Sequence, residues 1–329
     1  MNKEINDQRL HDIHEWLTAV LPYHKYELTV ASSDASFRRY FRVQQEQTSW
    51  IVMDAPPEHE DIDSFVKVAE FLAEFKVHVP KIFAKNMDQG FLLLSDLGNT
   101  AYLSVLNADS AESLYQAAID EIINMQLSPA SNIDLPQYNE NLLRQEMNLF
   151  PEWFLQRHLD LDMPEWMPAI FDVLIHNAQQ QPQYFVHRDY HSRNLMLVHK
   201  QDVGVIDFQD AVIGPASYDL VSLLRDVYIQ WPQADVDRWL TYYFDKALQN
   251  NLIDGDKQTF QRWFDLMGLQ RHLKILGIFC RLNYRDNKPA YMDDLALTLD
   301  YVLTVSARYP ELARLHNYLT QTPEIVAIQ

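Results

Sequence analysis

A polar loop set between three short apolar segments constrains the fold of this chain more than any other feature. The loop lies in VHRDYHSRNLM at 186–196, and VIDFQD follows at 205–210. The apolar segments have the length of short strands and are Tyr184–Val186, Leu195–Val198 and Val203–Ile206. The last two predict a small hairpin. We expect its two ends to present Asn194 and Asp207 side by side.

The polar residues of this region have the spacing of a phosphoryl-transfer site. His187, Arg188 and Asp189 precede Asn194 with four residues between Asp189 and Asn194, as in the H-R-D-x-x-x-x-N loop of protein kinases. In that pattern Asn194 and Asp207 bind magnesium through oxygen atoms, and Asp189 orients or deprotonates the acceptor hydroxyl. The alternative is that these residues only form turns, as Asp and Asn commonly do.

The sequence after the loop favours a small acceptor over a peptide. Arg193 directly before the asparagine is typical of tyrosine kinases, and we expect this catalytic-loop arginine to reach the transferred phosphoryl group or the substrate. However, a predicted turn at Gly214-Pro215 leads into a helical pattern, and Asp219 comes only twelve residues after Asp207. That interval is too short for the activation segment of a protein kinase. Gln209 also replaces the glycine of the D-F-G triplet.

The chain resembles the aminoglycoside phosphotransferase-like family of small-molecule kinases over nearly its whole length, and within that family the bacterial amino-sugar kinases. Besides the loop, the segments that carry the resemblance are SSDASFRRYFRV at 32–43, IVMDAPPE at 51–58, LLLSDLGN at 92–99, LFPEWFL at 149–155, IDFQDAVIGPASYDLVSLLRD at 206–226 and QRHLKILGIFCRLNYRDNKPAYM at 270–292.

This resemblance implies an ATP- and Mg²⁺-dependent kinase with an α+β, protein-kinase-like, two-lobed fold. The implied acceptor is the anomeric hydroxyl of N-acetylmuramate or N-acetylglucosamine, an amino sugar of cell-wall recycling. Kinases that act on an aminoglycoside, choline or another alcohol share the same catalytic residues and remain alternatives. A non-catalytic, nucleotide-binding regulator with a kinase-like fold is a further alternative.

The pattern of apolar residues predicts a small β-rich N-terminal lobe at 1–96 and a larger, mostly helical C-terminal lobe at 97–329. Predicted strands lie near 26–31, 38–44, 49–54, 81–85 and 91–95, with helices near 5–20 and 62–76. Further helices are predicted near 111–127, 138–158, 165–180, 217–229, 233–249, 257–281 and 291–308.

Composition limits the partners and the location that we expect. The chain has 329 residues, a net charge of −19 and one cysteine, Cys280. The acidity argues against nucleic-acid binding because such proteins carry a basic surface. An apolar stretch long enough to cross a membrane is missing from the sequence, and the polar start does not resemble a signal peptide. We therefore expect a cytoplasmic enzyme that needs no obligate protein partner.

Nucleotide contacts are expected from two stretches of the N-terminal lobe. The connector that begins at Ser95 and includes Leu97 resembles a kinase hinge, where backbone groups read the adenine. Between the first two strands, Ser33 and Ser36 replace the glycines of a phosphate-binding loop and offer hydroxyl and backbone donors. A plain polar hairpin is the alternative for this second stretch.

The third strand, Ile51–Asp54, lacks the lysine that binds nucleotide phosphates in protein kinases. The candidate replacements are Arg38, Arg39 and Arg42, of which we favour Arg39 or Arg42. Strand alternation places Arg38 and Arg42 on one face and Arg39 on the other. Surface ion pairing is the alternative for each arginine, while Asp54 is either a ligand-facing carboxylate or a turn residue.

Acceptor contacts are expected from the C-terminal lobe. Four cations fall on one face of a predicted helix and suit the lactyl carboxylate of muramate: Arg271, Lys274, Arg281 and Arg285. A solvated charge row is the alternative. Glu146 and Asp210 are candidates for sugar hydroxyls and Trp153 for stacking. His187 is expected to be buried, with Asp219 as its orienting partner.

Overall fold

The computed structural model describes residues 8–21, 25–33, 37–198 and 202–328, and only the backbone at 32 and 33. The described chain forms two units. The first runs to Asn99 and includes Met196–Gln209, and the second comprises Thr100–Leu195 and Asp210–Gln329. The stretch that carries Asp207 therefore belongs with the N-terminal sheet, although it follows the loop of Asp189 in sequence.

The first unit is built on a five-stranded antiparallel sheet in the order β1-β2-β3-β5-β4. Its strands are β1 Glu27–Ser33, β2 Arg39–Gln45, β3 Thr48–Asp54, β4 Ile82–Asn86 and β5 Phe91–Ser95. The five strands that the alternating pattern predicted are thus confirmed.

Two helices accompany the sheet, α1 at Gln8–Val20 and α2 at Ile62–Glu74. The apolar side of α1 buries Ile13 and Leu17 in a core that contains alternate residues of three strands: Phe41, Val43, Val52, Phe91 and Leu93. This defines the α1 face of the sheet, because residues two apart on a strand point the same way. Asp61 caps α2 by accepting a hydrogen bond from the backbone N of Asp63 at 2.9 Å.

Asp54 ends β3 as a fully buried carboxylate on the α1 face. It accepts hydrogen bonds from Nε of Arg9 on α1 and from Nε of Arg39 on β2, each at 2.8 Å. The prediction of a turn residue at Asp54 is therefore wrong. The two guanidinium groups compensate the cost of burying its charge.

The second unit is mostly helical. Its helices are α3 Tyr102–Val105, α4 Ala111–Leu127, α5 Glu140–Leu149, a π-helix at Phe150–His158, α6 Met167–Gln179, α7 Tyr218–Leu224, α8 Gln233–Gln249, α9 Lys257–Asp286, α10 Leu295–Ser306, α11 Ala313–Gln321 and α12 Pro323–Val326. Helix α9 is buried over most of its length and packs against α5, α6, α7 and α10. Among the described helices, none is both long enough and apolar enough to span a membrane.

The polar loop lies between strands of two short pairs along the chain, because the first strand of one pair precedes it and the first strand of the other follows it. β6 at Gln183–Val186 pairs antiparallel with β9 at Val212–Pro215, and β7 at Leu195–Val198 pairs with β8 at Asp202–Val205. The β7-β8 pair agrees with the predicted hairpin. The backbone N of Val205 also donates to the carbonyl of His78 at 2.8 Å, which ties β8 to the first unit.

Several predicted boundaries are wrong for identifiable reasons. Gly214-Pro215 is not a turn, because it lies in β9, where a Cβ at Gly214 would come within 3.1 Å of the Tyr138 side chain. The predicted helix at 217–229 ends at Leu224, and the next turn forms around Asp226, whose carboxylate accepts from the backbone N of Tyr228. The helix predicted at 138–158 changes to π geometry after Leu149.

The contact between α9 and the end of α5 requires glycine at 277. A Cβ built there would lie 2.2 Å from the backbone carbon of Leu149. We expect Gly277→Ala to destabilise the protein by about 1 to 3 kcal/mol through overpacking, despite the better helix propensity of alanine. Urea unfolding measures this change.

Gly268→Ala on the same helix is the matched control for that substitution. The nearest atoms to its Cβ would be side-chain atoms, Nη1 of Arg225 at 3.0 Å and Cγ1 of Val221 at 3.5 Å, and no backbone atom is among them. The control is expected to cost clearly less than Gly277→Ala. Equal urea midpoints for the parent and Gly277→Ala would show that α9 and the end of α5 can move apart without a loss of stability.

Candidate active site

The loop between β6 and β7 is held by a buried carboxylate from α7. Asp219 accepts hydrogen bonds from the backbone N of His187 at 2.7 Å and of Arg188 at 3.0 Å. We predicted that Asp219 orients His187, and the structure shows that it does so through the backbone. Arg188 adopts a left-handed conformation with φ of 76°, which is unfavourable for a residue with a Cβ and frequent at functional sites.

Three further contacts fix the rest of the loop. The backbone N of Ser192 donates to Asp226 at 2.9 Å, and the hydroxyl of Tyr190 donates to the carbonyl of Ala118 at 2.9 Å. The Nδ2 atom of Asn194 donates to the backbone carbonyl of Asp189 at 3.0 Å. This last bond orients the asparagine within the loop and couples its position to that of Asp189.

Sequence reasoning missed the role of Asp226, although a signal was present. Asp226 lies seven residues after Asp219 in one apolar segment with helical periodicity, and that spacing returns to the same face after two turns. Because Asp219 anchors the loop, a second carboxylate on the same face, Asp226, is a candidate for a second anchor. The structure shows that Asp226 is a second anchor, but α7 ends at Leu224, so Asp226 lies beyond the helix that the spacing argument assumes.

Positive charges control the ionisation of Asp189. Burial alone raises the pKa of its carboxyl group, but the charges of Lys274, His191, Arg271 and Arg188 outweigh that effect and leave the pKa below its ordinary value. Asp189 is therefore a carboxylate at neutral pH. A carboxylate of this kind can accept a hydrogen bond or a proton from an alcohol.

Glu146 is the centre of a buried ionic cluster. It accepts hydrogen bonds from the hydroxyl of Tyr138 and from Nη2 of Arg188, and it pairs with Nζ of Lys274 at 3.1 Å. Burial raises the pKa of Glu146, but Lys274 and Arg188 lower it more, so the net shift is downward. These three partners indicate that Glu146 positions Arg188 and Lys274. Sequence reasoning had given no role to Arg188 or Tyr138.

The predicted row of cations on α9 divides into a buried and an exposed half. Arg271 and Lys274 are only 3% and 7% exposed, so the alternative of a solvated charge row is wrong for both. Arg281 is half-buried. Arg285 is exposed and pairs with Asp286 at 2.7 Å.

Four buried polar atoms around Asp189 and the Glu146 cluster have no hydrogen-bond partner among the described residues. They are Nε of Arg188, Nη1 of Arg271, Oε1 of Gln270 and Nδ1 of His191. Buried polar groups in native proteins are nearly always paired, so these atoms are candidates for contact with a polar ligand. They combine donor and acceptor atoms, as recognition of a carboxylate and an amide requires.

The remaining acceptor candidates lie at the edge of this cluster or away from it. Arg193 is exposed, and its guanidinium carbon stacks 3.5 Å from the ring centre of Tyr228. Asp210 is exposed, and its backbone carbonyl accepts from Nη1 of Arg188 at 3.2 Å. Trp153 lines a groove of about 790 Å³ whose lining residues do not include Asp189.

The nucleotide candidates of the first unit have varied surroundings. Arg42 pairs with Asp96 at 2.6 Å and also donates to the carbonyl of Gly98. The hydroxyl of Ser95 accepts from the backbone N of Lys81 at 2.8 Å, and Leu97 is buried. Ser36 lies outside the described residues, as does the side chain of Ser33.

Asp207 has a left-handed backbone with φ of 68°, like Arg188. Its Oδ1 atom accepts from Nε2 of Gln209 at 2.7 Å, and the next residue, Phe208, packs against Phe65 of α2 with 4.8 Å between ring centres. The carboxylate of Asp207 and the amide oxygen of Asn194 are the hard oxygen ligands that Mg²⁺ prefers. Their assignment as magnesium ligands stays a prediction.

Comparison of the sequence with known proteins identifies relatives. Residues 27–254 match the phosphotransferase enzyme family. An N-acetylmuramate/N-acetylglucosamine kinase of Pseudomonas aeruginosa is 44% identical to this chain, over 97% of this chain and 98% of its own.

Two solved structures show the fold class. The ADP-bound aminoglycoside phosphotransferase APH(2'')-Ib matches with a TM-score of 0.58 at 13% identity, over 90% of this chain and 98% of its own. The ethanolamine kinase of Plasmodium vivax matches with a TM-score of 0.65 at 10% identity, over 92% of this chain and 91% of its own. The predicted protein-kinase-like fold is confirmed.

The anchoring carboxylate Asp219 is expected to leave a signature in the pH dependence of stability. Burial raises its pKa from 3.8 to about 6, and the positive charge of His187 offsets this only in part. Because the native state keeps a proton that the unfolded chain loses, Asp219 costs stability as pH rises from about 4 to about 6. Asp219→Asn removes this titration.

The measurement is urea unfolding of the parent and Asp219→Asn between pH 4 and pH 7. The stability advantage of the parent is expected to shrink by about 3 kcal/mol across that range, since one pKa unit corresponds to about 1.4 kcal/mol. Asp172→Asn, at an exposed ion pair with Arg144, is the control. A parent advantage that is independent of pH would contradict the assigned pKa.

Proposed function

Because this chain belongs to the phosphotransferase enzyme family, we propose that it transfers the γ-phosphoryl group of ATP to the anomeric hydroxyl of N-acetylmuramate and N-acetylglucosamine. One observation carries the proposal: the Pseudomonas aeruginosa kinase of those two sugars is 44% identical over nearly the full length of both chains. The anchored loop around Asp189 and the buried polar atoms without a partner near it support the same reaction.

In the proposed reaction Asp189 accepts a hydrogen bond from the sugar hydroxyl. As the new oxygen–phosphorus bond forms, Asp189 takes the hydroxyl proton, and the bond between the γ-phosphorus and the oxygen bridging to ADP breaks. A magnesium ion, when bound, would neutralise the negative charge that develops on the phosphate oxygens. Asn194 and Asp207 are the residues proposed to hold it, and Arg193 is proposed to contact the transferred group.

The acceptor is proposed to bind at the unpaired polar atoms near Asp189. Arg271 is the cation best suited to the lactyl carboxylate of N-acetylmuramate, because its Nη1 atom is buried and has no partner among the described residues. Lys274 is already paired with Glu146, and we infer that both serve to position the loop. Gln270 and His191 suit the acetamido group, which offers both a donor and an acceptor.

Nucleotide binding is proposed for the first unit, with Ser33, Ser36, Ser95 and Leu97 as the contact positions. The backbone of the Ser95 connector is proposed to read the adenine edge. Since the reaction consumes ATP and processes recovered cell-wall sugars, we infer that it takes place in the cytoplasm.

A phosphate-transfer assay over a panel of alcohols tests the proposed function. We expect labelled phosphate to pass from ATP to N-acetylmuramate and N-acetylglucosamine in a magnesium-dependent reaction, and not to choline, ethanolamine or an aminoglycoside. Preference for one of the latter would assign a different acceptor class. Failure of the protein to bind Mg-ATP would instead indicate a non-catalytic role.

Two carboxylate variants are the controls for that assay. Asp189→Asn is expected to lower kcat by about a hundredfold or more with unchanged affinity for Mg-ATP, whereas Asp207→Asn is expected to weaken magnesium-dependent ATP binding as well. If Asp189→Asn retained more than about a tenth of the activity, the role of Asp189 as the acceptor-facing base would be wrong.

Recognition of the lactyl carboxylate by Arg271 is expected to separate the two sugars. Arg271→Gln should lower kcat/KM for N-acetylmuramate about ten- to a hundredfold more than for N-acetylglucosamine, which lacks the acid, because a charge-assisted hydrogen bond contributes about 1.5 to 3 kcal/mol. Steady-state kinetics with both sugars measure the ratio. Arg285→Gln, on the exposed half of α9, is the matched control. Equal losses for both sugars in Arg271→Gln would show a structural role.

A further inference from the structure

The structure sorts the three arginines that follow the β1-β2 connection by the carboxylate that each one binds. Arg39 contacts Asp54 on the α1 face. Arg42 contacts Asp96 in the connector after β5. Arg38 contacts Glu60, two residues before α2 begins, through Nη2 and Oε2 at 2.8 Å. The three guanidinium groups therefore serve three different places in the first unit.

Arg39 is poorly placed to replace the missing third-strand lysine. Its Nε and Nη2 atoms both donate to Oδ2 of Asp54, and that carboxylate also binds Arg9 of α1. Asp54 lies on the same face as Val52, which is buried in the α1 core. A guanidinium held on this face belongs to the packing of α1 on the sheet.

Arg38 has the position and the surroundings of a phosphate-binding cation. It lies two residues after Ser36, the end of the predicted phosphate loop. Its side chain is only 9% exposed, and that of Glu60 is 11% exposed. The same carboxylate accepts from the backbone N of Phe37 at 3.1 Å, and the Phe37 ring stacks on His59 at 4.4 Å. Phe37 and Arg38 are thus both joined to the segment that precedes α2.

The proposed metal ligand of the first unit is attached to the same helix. Phe208, which directly follows Asp207, packs against Phe65 of α2, and Phe65 lies five residues after Glu60. Helix α2 therefore connects Arg38 and Asp207 within one unit. A phosphate-binding cation and a magnesium ligand are the two groups that must act on one triphosphate.

We propose that Arg38, oriented by Glu60, binds the nucleotide phosphates in place of the third-strand lysine. The pair replaces the lysine–glutamate ion pair of protein kinases, with the cation moved from the third strand to the start of the second. A guanidinium suits this role because its planar, always charged group matches the geometry of both carboxylate and phosphate. This inference rests on the proposed use of ATP.

Equilibrium binding of nucleotides to the whole protein, without any sugar, tests the proposal. Arg38→Gln is expected to weaken Mg-ATP binding about ten- to a hundredfold and to leave adenosine binding unchanged, because adenosine lacks phosphates. Glu60→Gln is expected to give a smaller selective loss. The double variant is expected to lose less than the product of the two single effects, since both act at one contact.

A second pair of variants distinguishes phosphate binding from a structural role. Lys85→Gln removes one positive charge at an exposed ion pair with Glu70 in the same unit and is expected to leave both affinities unchanged. If Arg38→Gln is unstable, Arg38→Lys keeps a positive charge and is expected to retain part of the preference for Mg-ATP over adenosine.

Three outcomes would overturn the assignment of Arg38. They are equal weakening of ATP and adenosine in Arg38→Gln, an unchanged ATP affinity in that variant, and a selective ATP loss in Arg39→Gln alone. If the parent protein itself bound no Mg-ATP, the proposed function would fail first. The parent measurement therefore separates the two failures.

Discussion

The loop that carries Asp189 depends on one interaction, the binding of its backbone amides by the buried carboxylate of Asp219. Two N–H groups point at this carboxylate, which satisfies donors that burial would otherwise leave unpaired. The contact also stabilises the left-handed backbone at Arg188. Asp226 repeats the device at Ser192. Because both anchors come from one segment of chain, the position of Asp189 is tied to the packing of α7.

Cations are concentrated around Asp189 in a chain whose net charge is −19. Arg188 and Lys274 share Glu146, while Arg271 adds a charge whose Nη1 atom is unpaired within the described part of the chain. The excess of positive charge lowers the pKa of Asp189. It also gives an anionic acceptor a local attraction that the overall charge of the protein opposes. The same cations therefore keep Asp189 ionised and form the site at which we propose that the acceptor binds.

Each of the three neighbouring arginines of the first unit is held by a different carboxylate. Asp54, Asp96 and Glu60 each bind one member of the run that follows the β1-β2 connection. A guanidinium held by a carboxylate has a defined direction, and its ordering entropy is lost during folding and not during ligand binding. The direction of each of these neighbouring arginine side chains thus depends on a carboxylate that is distant from it in sequence.

The sequence by itself determined the fold class, the five strands of the sheet, most helices and the spacing of Asp189, Asn194 and Asp207, because periodicity and motif spacing are local properties of the chain. Only the tertiary structure decided which cations are buried, since Arg271 and Arg285 look alike along α9 but have different neighbours. It also revealed strand β9 and the ionic contacts of Glu146, because these depend on contacts between residues far apart in sequence. Partner choice and burial are long-range properties, and no local pattern encodes them.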